Sequence, residues 1–380
     1  MMIARPQYLD KLISWKDKQL IKILTGVRRS GKSTLFRIYQ DWLLQNGIHP
    51  SQIINLNMED PANNDLLDWL ELYKYIDSRL AQSSGLNMAN KQNYVFIDEI
   101  QNVPDFQRAA DGLFIKSNVD LYLTGSNSHF QSGQWATMLS GRYVEIHVLP
   151  LSFKEYTSAY PFNDSQETIY RRYLENSSFP YAINLHSGGK WDTSQVRDYL
   201  GGLYSTIILK DIMDNKNIRE PSKLERVLKY IADNIGNITS LKKISDMLCN
   251  DGLKIYPQTV ESYADSLIDS YILYRADRYD VKGKTLLKTL NKYYLVDLGL
   301  RYFLLGDRDI DTGRMLENVI YLELLRRNRK VYVGKINGDK EIDFVVENDN
   351  GTEYYQVAET VLDKNTLKRE LASLESAKDH

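Results

Sequence analysis

The sequence predicts an α/β protein whose first domain is a parallel sheet with helices on both faces. Short apolar runs alternate with longer amphipathic stretches through the first third of the chain, which is the pattern of strands joined by crossover helices. The apolar runs are continuous, as expected of strands that are buried on both sides. A length of 380 residues exceeds one ordinary domain, so two or three domains are expected.

Composition and charge exclude several classes of protein. The 48 basic and 50 acidic residues give a net charge of -2, so any nucleic-acid surface must be a local patch. The single cysteine, Cys249, cannot form an intrachain disulfide, and no histidine lies near it, which disfavours a zinc site. The N-terminus lacks the apolar core of a signal peptide, and no apolar run is long enough to span a bilayer. We therefore expect a cytoplasmic protein without membrane contact.

The elements of the first domain, residues 1–150, follow in order along the chain. Short, mainly apolar segments predict four strands, at Leu20–Leu24, Ile53–Leu56, Tyr94–Ile97 and Leu121–Leu123, of which Tyr94–Ile97 is continuously apolar. Amphipathic stretches predict the intervening helices, at Ser33–Leu44, Leu66–Leu80 and around Asp105–Leu113.

The turn after the first strand matches the phosphate-loop pattern G-x-x-x-x-G-K-[ST]. It reads Gly26-Val27-Arg28-Arg29-Ser30-Gly31-Lys32-Ser33-Thr34. The glycines let backbone N–H groups curl around a phosphate, and the following helix adds its positive end. Lys32 would then lie against the β- and γ-phosphates, and the Ser33 hydroxyl would coordinate Mg²⁺. The position between a strand and a helix argues against a chance match, so the sequence predicts nucleotide binding.

Two acids follow the third predicted strand. Asp98 stands at a strand's carboxyl end, from which it can reach the Mg²⁺ held by Ser33. Glu99 is placed to polarise an attacking water as a general base. These acids alone would be read as the polar end of a strand, but the phosphate loop favours the catalytic interpretation.

Two further candidates lie beyond the fourth strand. Asn127 or Ser126 could hydrogen-bond the γ-phosphate or the lytic water, although turn-forming residues follow many strands. Arg142 could supply charge to the transition state, either within its own chain or from a neighbouring subunit. A surface arginine without a catalytic role is the alternative.

The chain resembles a widespread group of bacterial and archaeal AAA-type P-loop ATPases with a C-terminal domain of unassigned function. Besides the phosphate loop and the acid pair, the resemblance rests on three segments, Thr124-Gly125-Ser126-Asn127-Ser128, Leu139-Ser140-Gly141-Arg142-Tyr143 and Leu149-Pro150-Leu151-Ser152-Phe153. It implies a sheet with the nucleotide at its carboxyl edge, ATP as the nucleotide, and a glutamate-driven hydrolytic site.

Helical segments dominate the middle of the chain. Residues 151–220 are predicted to form a helical lid and linker, and residues 221–305 a winged-helix domain of three helices and a β-wing. The third helix carries the acids Glu261, Asp265 and Asp269, which would repel DNA phosphates. The predicted wing is basic, with Arg278, Lys282, Lys284, Lys288 and Lys292. We expect protein contact or internal packing here, with weak DNA contact through the wing as the alternative.

Residues 306–380 are predicted to form a degenerate restriction-endonuclease-like α/β domain. Glu317, Asp343 and Gln356 match the acids and the E/Q-x-K triplet that assemble a Mg²⁺ site in that fold. Ala358 replaces the lysine, which predicts a vestigial site unless Lys340 or Lys364 substitutes for it. Residues 377–380 lie in an uncapped amphipathic stretch, so the natural chain is expected to continue past His380.

The sequence as a whole predicts a Mg²⁺-dependent AAA-type ATPase that couples its nucleotide state to partner contacts of its C-terminal domains. The protein partner is unknown, and a homo-oligomer is expected if Arg142 acts in trans. Two alternatives remain open at this point. One is a slow nucleotide-dependent switch, and the other is a DNA-processing ATPase with a residual nuclease-like domain.

Overall fold

The computed structural model describes residues 2–83, 92–125, 139, 141–187, 190–207, 212–213, 218, 220–306, 312–327, 330–336, 341–348 and 351–377. The chain divides into two compact units, residues 1–150 and residues 151–380. Within the described ranges, no helix is both long enough and apolar enough to cross a membrane.

The first unit is a five-stranded parallel sheet with helices on both faces. Its strands are β1 (Ile21–Thr25), β2 (Ile53–Asn57), β3 (Asn93–Asp98), β4 (Val119–Thr124) and β5 (Tyr143–His147). Its helices are α1 (Pro6–Ser14), α2 (Lys32–Gln45), α3 (Trp69–Ser83) and α4 (Phe106–Phe114). The strand order is β2-β3-β4-β1-β5, and every pairing is parallel. This arrangement confirms the predicted α/β class and its parallel sheet.

The apolar faces of the sheet explain its layers. Side chains from α1 and α2 pack with one set of strand residues, and side chains from α3 and α4 pack with the other set. β1, β3 and β4 are buried at every position, which is why their sequences are mostly apolar; the charged Lys22 of β1 is paired with Asp120 of β4. β5 lies at an edge and alternates polar residues such as Glu145 and His147 with buried ones, so no apolar run marked it.

The order of the strands positions the predicted site. β4 is inserted between β1 and β3, so the carboxyl ends of these three strands are adjacent. The turn from β1 into α2, the acids that end β3 and the last residue of β4 therefore meet at one edge of the sheet.

The second unit begins with helices and ends in a mixed sheet. Its helices are α5 (Phe153–Ala159), α6 (Gln166–Glu175), α7 (Thr193–Ser205), α8 (Pro221–Asp233), α9 (Leu241–Asn250), α10 (Pro257–Asp269), α11 (Leu298–Leu305), α12 (Thr312–Arg326) and α13 (Lys364–Glu375). Its strands are the short pair β6 (His186–Ser187) and β7 (Lys190–Trp191), then β8 (Leu273–Asp280), β9 (Thr285–Leu295), β10 (Lys330–Lys335), β11 (Glu341–Asn348) and β12 (Gly351–Tyr355).

The strands between Leu273 and Tyr355 form one sheet, in the order β12-β11-β10-β8-β9. The predicted wing corresponds to the hairpin β8–β9, and β8 also pairs in parallel with β10. Strands from both sides of the predicted boundary at residue 305 thus belong to the same sheet.

Lys292 corrects the prediction of a basic wing. β9 continues for eleven residues from the hairpin turn into the body of the sheet, and Lys292 lies near its inner end. Its side chain is buried among carboxylates, so assigning it to an exposed basic wing was wrong. Lys282 and Lys284, at the hairpin turn, remain exposed.

Candidate functional site

The loop between β1 and α2 has the backbone that the phosphate-loop pattern predicts. Gly26, Arg29 and Gly31 all have positive φ angles, of 133°, 66° and 99°. A Cβ at Gly26 would lie 2.2 Å from the carbonyl oxygen of Val148, so only glycine fits there. Alternation of right- and left-handed residues turns successive N–H groups toward one side, which makes a concave site for anions.

Lys32 lies inside this loop. It is the first residue of α2, and only 4% of it is exposed. Its ammonium donates hydrogen bonds to the carbonyl oxygens of Gly26 at 3.0 Å and Val27 at 3.1 Å. The loop carbonyls therefore hold the positive charge within the concavity, where a phosphate oxygen would meet it.

Asp98 and Ser33 come together as the sequence predicts. Asp98 is buried at the end of β3, its carboxylate accepts a hydrogen bond from the Thr124 hydroxyl, and the Ser33 hydroxyl lies near that carboxylate. Burial raises the pKa of Asp98, the two hydroxyls and Lys32 act in the opposite direction, and the Glu99 charge adds to the increase. A cation near the carboxylate would act in the same direction as Lys32 and favour the ionised form.

These oxygens fit the Mg²⁺ that the sequence implies. A hydroxyl and a carboxylate are hard oxygen donors of the kind that Mg²⁺ binds, usually together with phosphates and waters. The Ser33 hydroxyl lies near enough to the Asp98 carboxylate to lower its pKa, so both oxygens are available on the same side of the loop to one small cation.

Thr124 is a site residue that the motif did not identify. Its hydroxyl donates to Asp98 and accepts the backbone N–H of Glu99 at 2.9 Å. Thr124 is fully buried at the carboxyl end of β4. A hydroxyl residue at the last position of the strand beside the acids is the signal that could have found it.

Glu99 has an unusual backbone. Its φ angle of 54° is left-handed, a conformation that costs energy for a residue other than glycine. The Thr124 hydroxyl holds its N–H, and the Gln101 amide donates to its carboxylate. These two hydrogen bonds hold both the backbone and the side chain of Glu99 in this turn.

The structure does not bring Arg142 to the loop of its own chain. Arg142 precedes β5, and its carbonyl accepts the N–H of Ile21 at the start of β1. Five residues of strand, about 16 Å, separate that end of the sheet from the phosphate loop. The Arg142 guanidinium is 3.0 Å from the Asp111 carboxylate. Asn127 and Ser126 lie outside the described residues.

The second unit brings Glu317, Asp343 and Gln356 together around a lysine. The Lys292 ammonium lies 3.0 Å from Glu317 and 3.8 Å from Asp343, and it also forms an ion pair with Glu341. The Gln356 side-chain oxygen accepts the Asp343 backbone N–H at 3.4 Å. We call Lys292, Glu317, Glu341 and Asp343 the acidic cluster.

The electrostatics of the acidic cluster reflect an excess of negative charge. Burial raises the pKa of Asp343 to about 6, and the charge of Glu317 contributes, while the Val357 N–H and Lys292 oppose it. Burial alone would lower the pKa of Lys292, but Glu317 and Glu341 outweigh burial, so this pKa lies above its ordinary value. Lys292 is therefore charged at neutral pH.

In the acidic cluster, a lysine occupies the position of a divalent cation among the carboxylates. The Lys292 ammonium stands between the carboxylates that would hold the metal. In the described part of the chain, no group of three or more His, Cys, Asp or Glu side chains is arranged to hold a metal ion. Of the two predicted substitutes, Lys340 lies outside the described residues, and Lys364 is exposed at the start of α13. The lysine of the cluster comes instead from β9.

Comparisons with known proteins agree with the first unit. A family model described as "AAA domain" matches residues 18–157, and one described as "Domain of unknown function (DUF8612)" matches residues 167–311. An uncharacterized protein of Haemophilus influenzae is 37% identical over 361 residues, which cover 94% of this chain and 87% of that protein. An uncharacterized protein of Methanocaldococcus jannaschii is 28% identical over 372 residues, covering 94% and 78%.

A solved structure shares the fold. The Walker-type ATPase of Pyrococcus abyssi superposes with a TM-score of 0.54 at 17% sequence identity, and the match covers 80% of this chain and 95% of that chain.

Proposed function

Because this chain belongs to the same family as the Haemophilus influenzae protein and has an AAA-type P-loop ATPase domain, we propose that it binds ATP with Mg²⁺ and hydrolyses it. The observation that carries the proposal is the meeting of the Ser33 hydroxyl and the Asp98 carboxylate beside the buried ammonium of Lys32. A motif match alone could arise by chance, but here the first turn of α2 and the carboxyl end of β3 bring their oxygens to one place, which is the arrangement that a phosphate-bound cation needs.

Each residue has a role in this proposal. The loop amides and Lys32 hold the phosphates, and Ser33 and Asp98 hold Mg²⁺, which neutralises phosphate charge when bound. Glu99 accepts the proton of the attacking water. Thr124 fixes the relative positions of Glu99 and Asp98 by hydrogen-bonding to both. The acids and the hydroxyls lie at one edge of the sheet, so no change of fold is required.

We propose that the second unit conveys the nucleotide state to a protein partner. We assign α8, α9, α10 and the hairpin β8–β9 to a winged-helix-like part, and α12 with β10, β11 and β12 to a nuclease-like part. Glu261 and Asp265 are exposed on α10, which disfavours contact with DNA through that helix. Lys292 is buried, so among the described side chains of the predicted wing Lys282 and Lys284 at the hairpin turn are the exposed lysines, and we propose no nuclease chemistry.

Turnover by the variant Glu99→Gln tests the hydrolytic proposal. The amide cannot accept a proton, so we expect ATP and Mg²⁺ to bind while phosphate release falls about 10²–10⁴-fold. Calorimetry measures binding, and a phosphate-release assay measures turnover. The control is Glu71→Gln, which changes an exposed glutamate of α3 that pairs with Lys74.

The outcomes separate the alternatives. Absence of ATP and ADP binding by the parent chain would contradict nucleotide binding altogether. Binding with negligible phosphate release by the parent chain would support the slow switch. Salt-sensitive stimulation by added DNA would support a DNA-processing ATPase.

A further inference from the structure

Arg5 is a buried cation behind the phosphate loop. It immediately precedes α1, and only 5% of it is exposed. Its guanidinium donates hydrogen bonds to three carbonyl oxygens, those of Ser30 at 3.1 Å, Leu149 at 2.7 Å and Pro150 at 3.4 Å. Ser30 belongs to the phosphate loop, and the other two carbonyls follow β5 at the end of the first unit.

Tyr8 lies one helical turn after Arg5 and contacts the same region. The Arg5 guanidinium lies 4.7 Å from the centre of the Tyr8 ring, and the Tyr8 hydroxyl accepts the N–H of Leu149 at 3.0 Å. The Tyr8 side chain is fully buried. Arg5 therefore binds the carbonyl oxygen of Leu149, and Tyr8 binds the N–H of the same residue.

The contact with Ser30 has a consequence for the next amide. The peptide between Ser30 and Gly31 is planar and trans, so its C=O and N–H groups point in opposite directions. Arg5 binds the Ser30 carbonyl oxygen from outside the loop. The Gly31 N–H of the same peptide is therefore directed toward the inside of the loop. Gly31 has a φ angle of 99° and no Cβ, so its flanking peptide planes are among the easiest in the loop to rotate.

We propose that Arg5 is a positioning residue that keeps the Ser30–Gly31 peptide oriented for phosphate binding. Its charge also polarises the peptide, which makes the Gly31 N–H a stronger donor. The inference deepens the proposed function and rests on it, because it concerns how the loop holds the phosphates of ATP. Arg5 touches neither ATP nor the reacting atoms in this proposal and acts only through the backbone.

Nucleotide binding by the variants Arg5→Met and Arg5→Lys in the full chain tests the proposal. Phosphate contacts of the loop are made in the ground state and the transition state alike, so we expect a higher KM with a nearly unchanged kcat. Losing one oriented donor to a charged ligand should raise the KM for ATP and the Kd for ADP about ten- to a hundredfold in Arg5→Met. Arg5→Lys keeps one donor and should be intermediate.

Tyr8→Phe is the matched control for stability. It removes the acceptor of the Leu149 N–H but leaves the contact between Arg5 and Ser30 intact. It should lower the melting temperature while the KM for ATP stays within about twofold of the parent value. Lys11→Met controls for removal of a cation from α1, since Lys11 also lies over the Tyr8 ring.

The outcomes distinguish the two proposals. A parent chain that binds no nucleotide overturns both. A parent chain that binds ADP, with folded Arg5→Met showing the same affinity, overturns the role of Arg5 alone. An equal rise in KM for Tyr8→Phe shows general loosening and also overturns it. Where Arg5→Met does not fold, the comparison of Arg5→Lys with Tyr8→Phe decides the question on the same criteria.

Discussion

Single residues of the first unit act through contacts that are distant in sequence. Lys32, Ser33 and Asp98 belong to short motifs, so their chemistry could be predicted from the sequence. Thr124 and Arg5 could not, because the Thr124 hydroxyl meets Asp98 across 26 residues and Arg5 meets Leu149 across 144. Their residue types are ordinary, and only the meeting of β3 with β4, and of α1 with the end of β5, gives them a role.

Gly26 offers a prediction at this scale. Gly26→Ala places a Cβ 2.2 Å from the Val148 carbonyl at a positive φ angle, so β5 and the loop must separate. We expect the loss of nucleotide binding and a fall of about 3 kcal/mol or more in the free energy of unfolding. Chemical denaturation and ADP calorimetry measure the two effects.

Gly47→Ala is the matched control, because Gly47 also has a positive φ angle but has open space around the added methyl. Gly47→Ala should lower the free energy of unfolding by only about 1 kcal/mol and leave ADP binding unchanged. Equal losses in the two variants would show that the φ angle, and not contact with β5, sets the requirement for glycine.

At the scale of the elements, the amino edge of the sheet in the first unit is held by a buried ion pair. Lys22 of β1 pairs with Asp120 of β4, and both side chains are fully buried. Asp120 also accepts the Tyr122 hydroxyl at 2.9 Å and the backbone N–H of Asp17 at 2.8 Å. Burial raises the pKa of Asp120 and lowers the pKa of Lys22, so each charge depends on the other.

Removing one member of this pair should lower the free energy of unfolding far more than removing both members. Lys22→Met leaves a buried carboxylate without its cation, for which we expect a loss of about 3–5 kcal/mol in the free energy of unfolding. Adding Asp120→Asn should recover most of that loss. The control is Lys116→Met, whose partner Asp77 is half exposed and whose loss should stay below about 1 kcal/mol. Denaturant titration checks the series, and an additive double variant would contradict this coupling.

In the second unit, the raised pKa of Asp343 in β11 predicts that the free energy of unfolding depends on pH. Its pKa is about 6 in the folded chain and about 3.9 when unfolded, so the folded state holds the proton more tightly between these values. The contribution of Asp343 is therefore most favourable at low pH and falls by about 2–3 kcal/mol as pH rises through 6. Amide hydrogen exchange of β11 at pH 4 to 7 measures it.

Asp343→Asn should flatten that dependence, because the amide does not titrate. Asp246→Asn, at an exposed position of α9, should leave it unchanged. Persistence of the full dependence in Asp343→Asn would assign it to another group of the acidic cluster.

At the scale of the whole molecule, local pattern predicts the first unit better than the second. Buried parallel strands give continuous apolar runs, and the turn from β1 into α2 carries its own motif, so the sheet and its nucleotide edge follow from the sequence. The sheet of the second unit depends on the parallel pairing of β8 with β10, about 55 residues apart, which no local pattern encodes. The same pairing explains why Lys292 is buried. It joins the β8–β9 hairpin to a sheet that includes β11, the strand that carries two carboxylates of the acidic cluster.

Arg142 lies at the amino edge of the sheet, opposite the phosphate loop. We propose that it reaches a nucleotide from a neighbouring subunit; a surface arginine without a catalytic role is the alternative. The ion pair of Arg142 with Asp111 is half exposed and weak enough to exchange for a phosphate. We therefore expect ATP hydrolysis per chain to rise with protein concentration, and Arg142→Ala to lose about 10³-fold or more in turnover while still binding ATP.

Mixing two inactive variants gives the decisive measurement. Arg142→Ala keeps an intact phosphate loop, and Lys32→Ala keeps the arginine, so a mixed assembly contains sites with every part and should regain activity that neither variant has alone. Light scattering in each nucleotide state measures the assembly. The control is Arg108→Ala, which removes an arginine that lies over the Trp69 ring and should behave like the parent chain. Activity independent of concentration, with no recovery on mixing, would show that the subunits do not complete one another's sites and that Arg142 serves only its contact with Asp111.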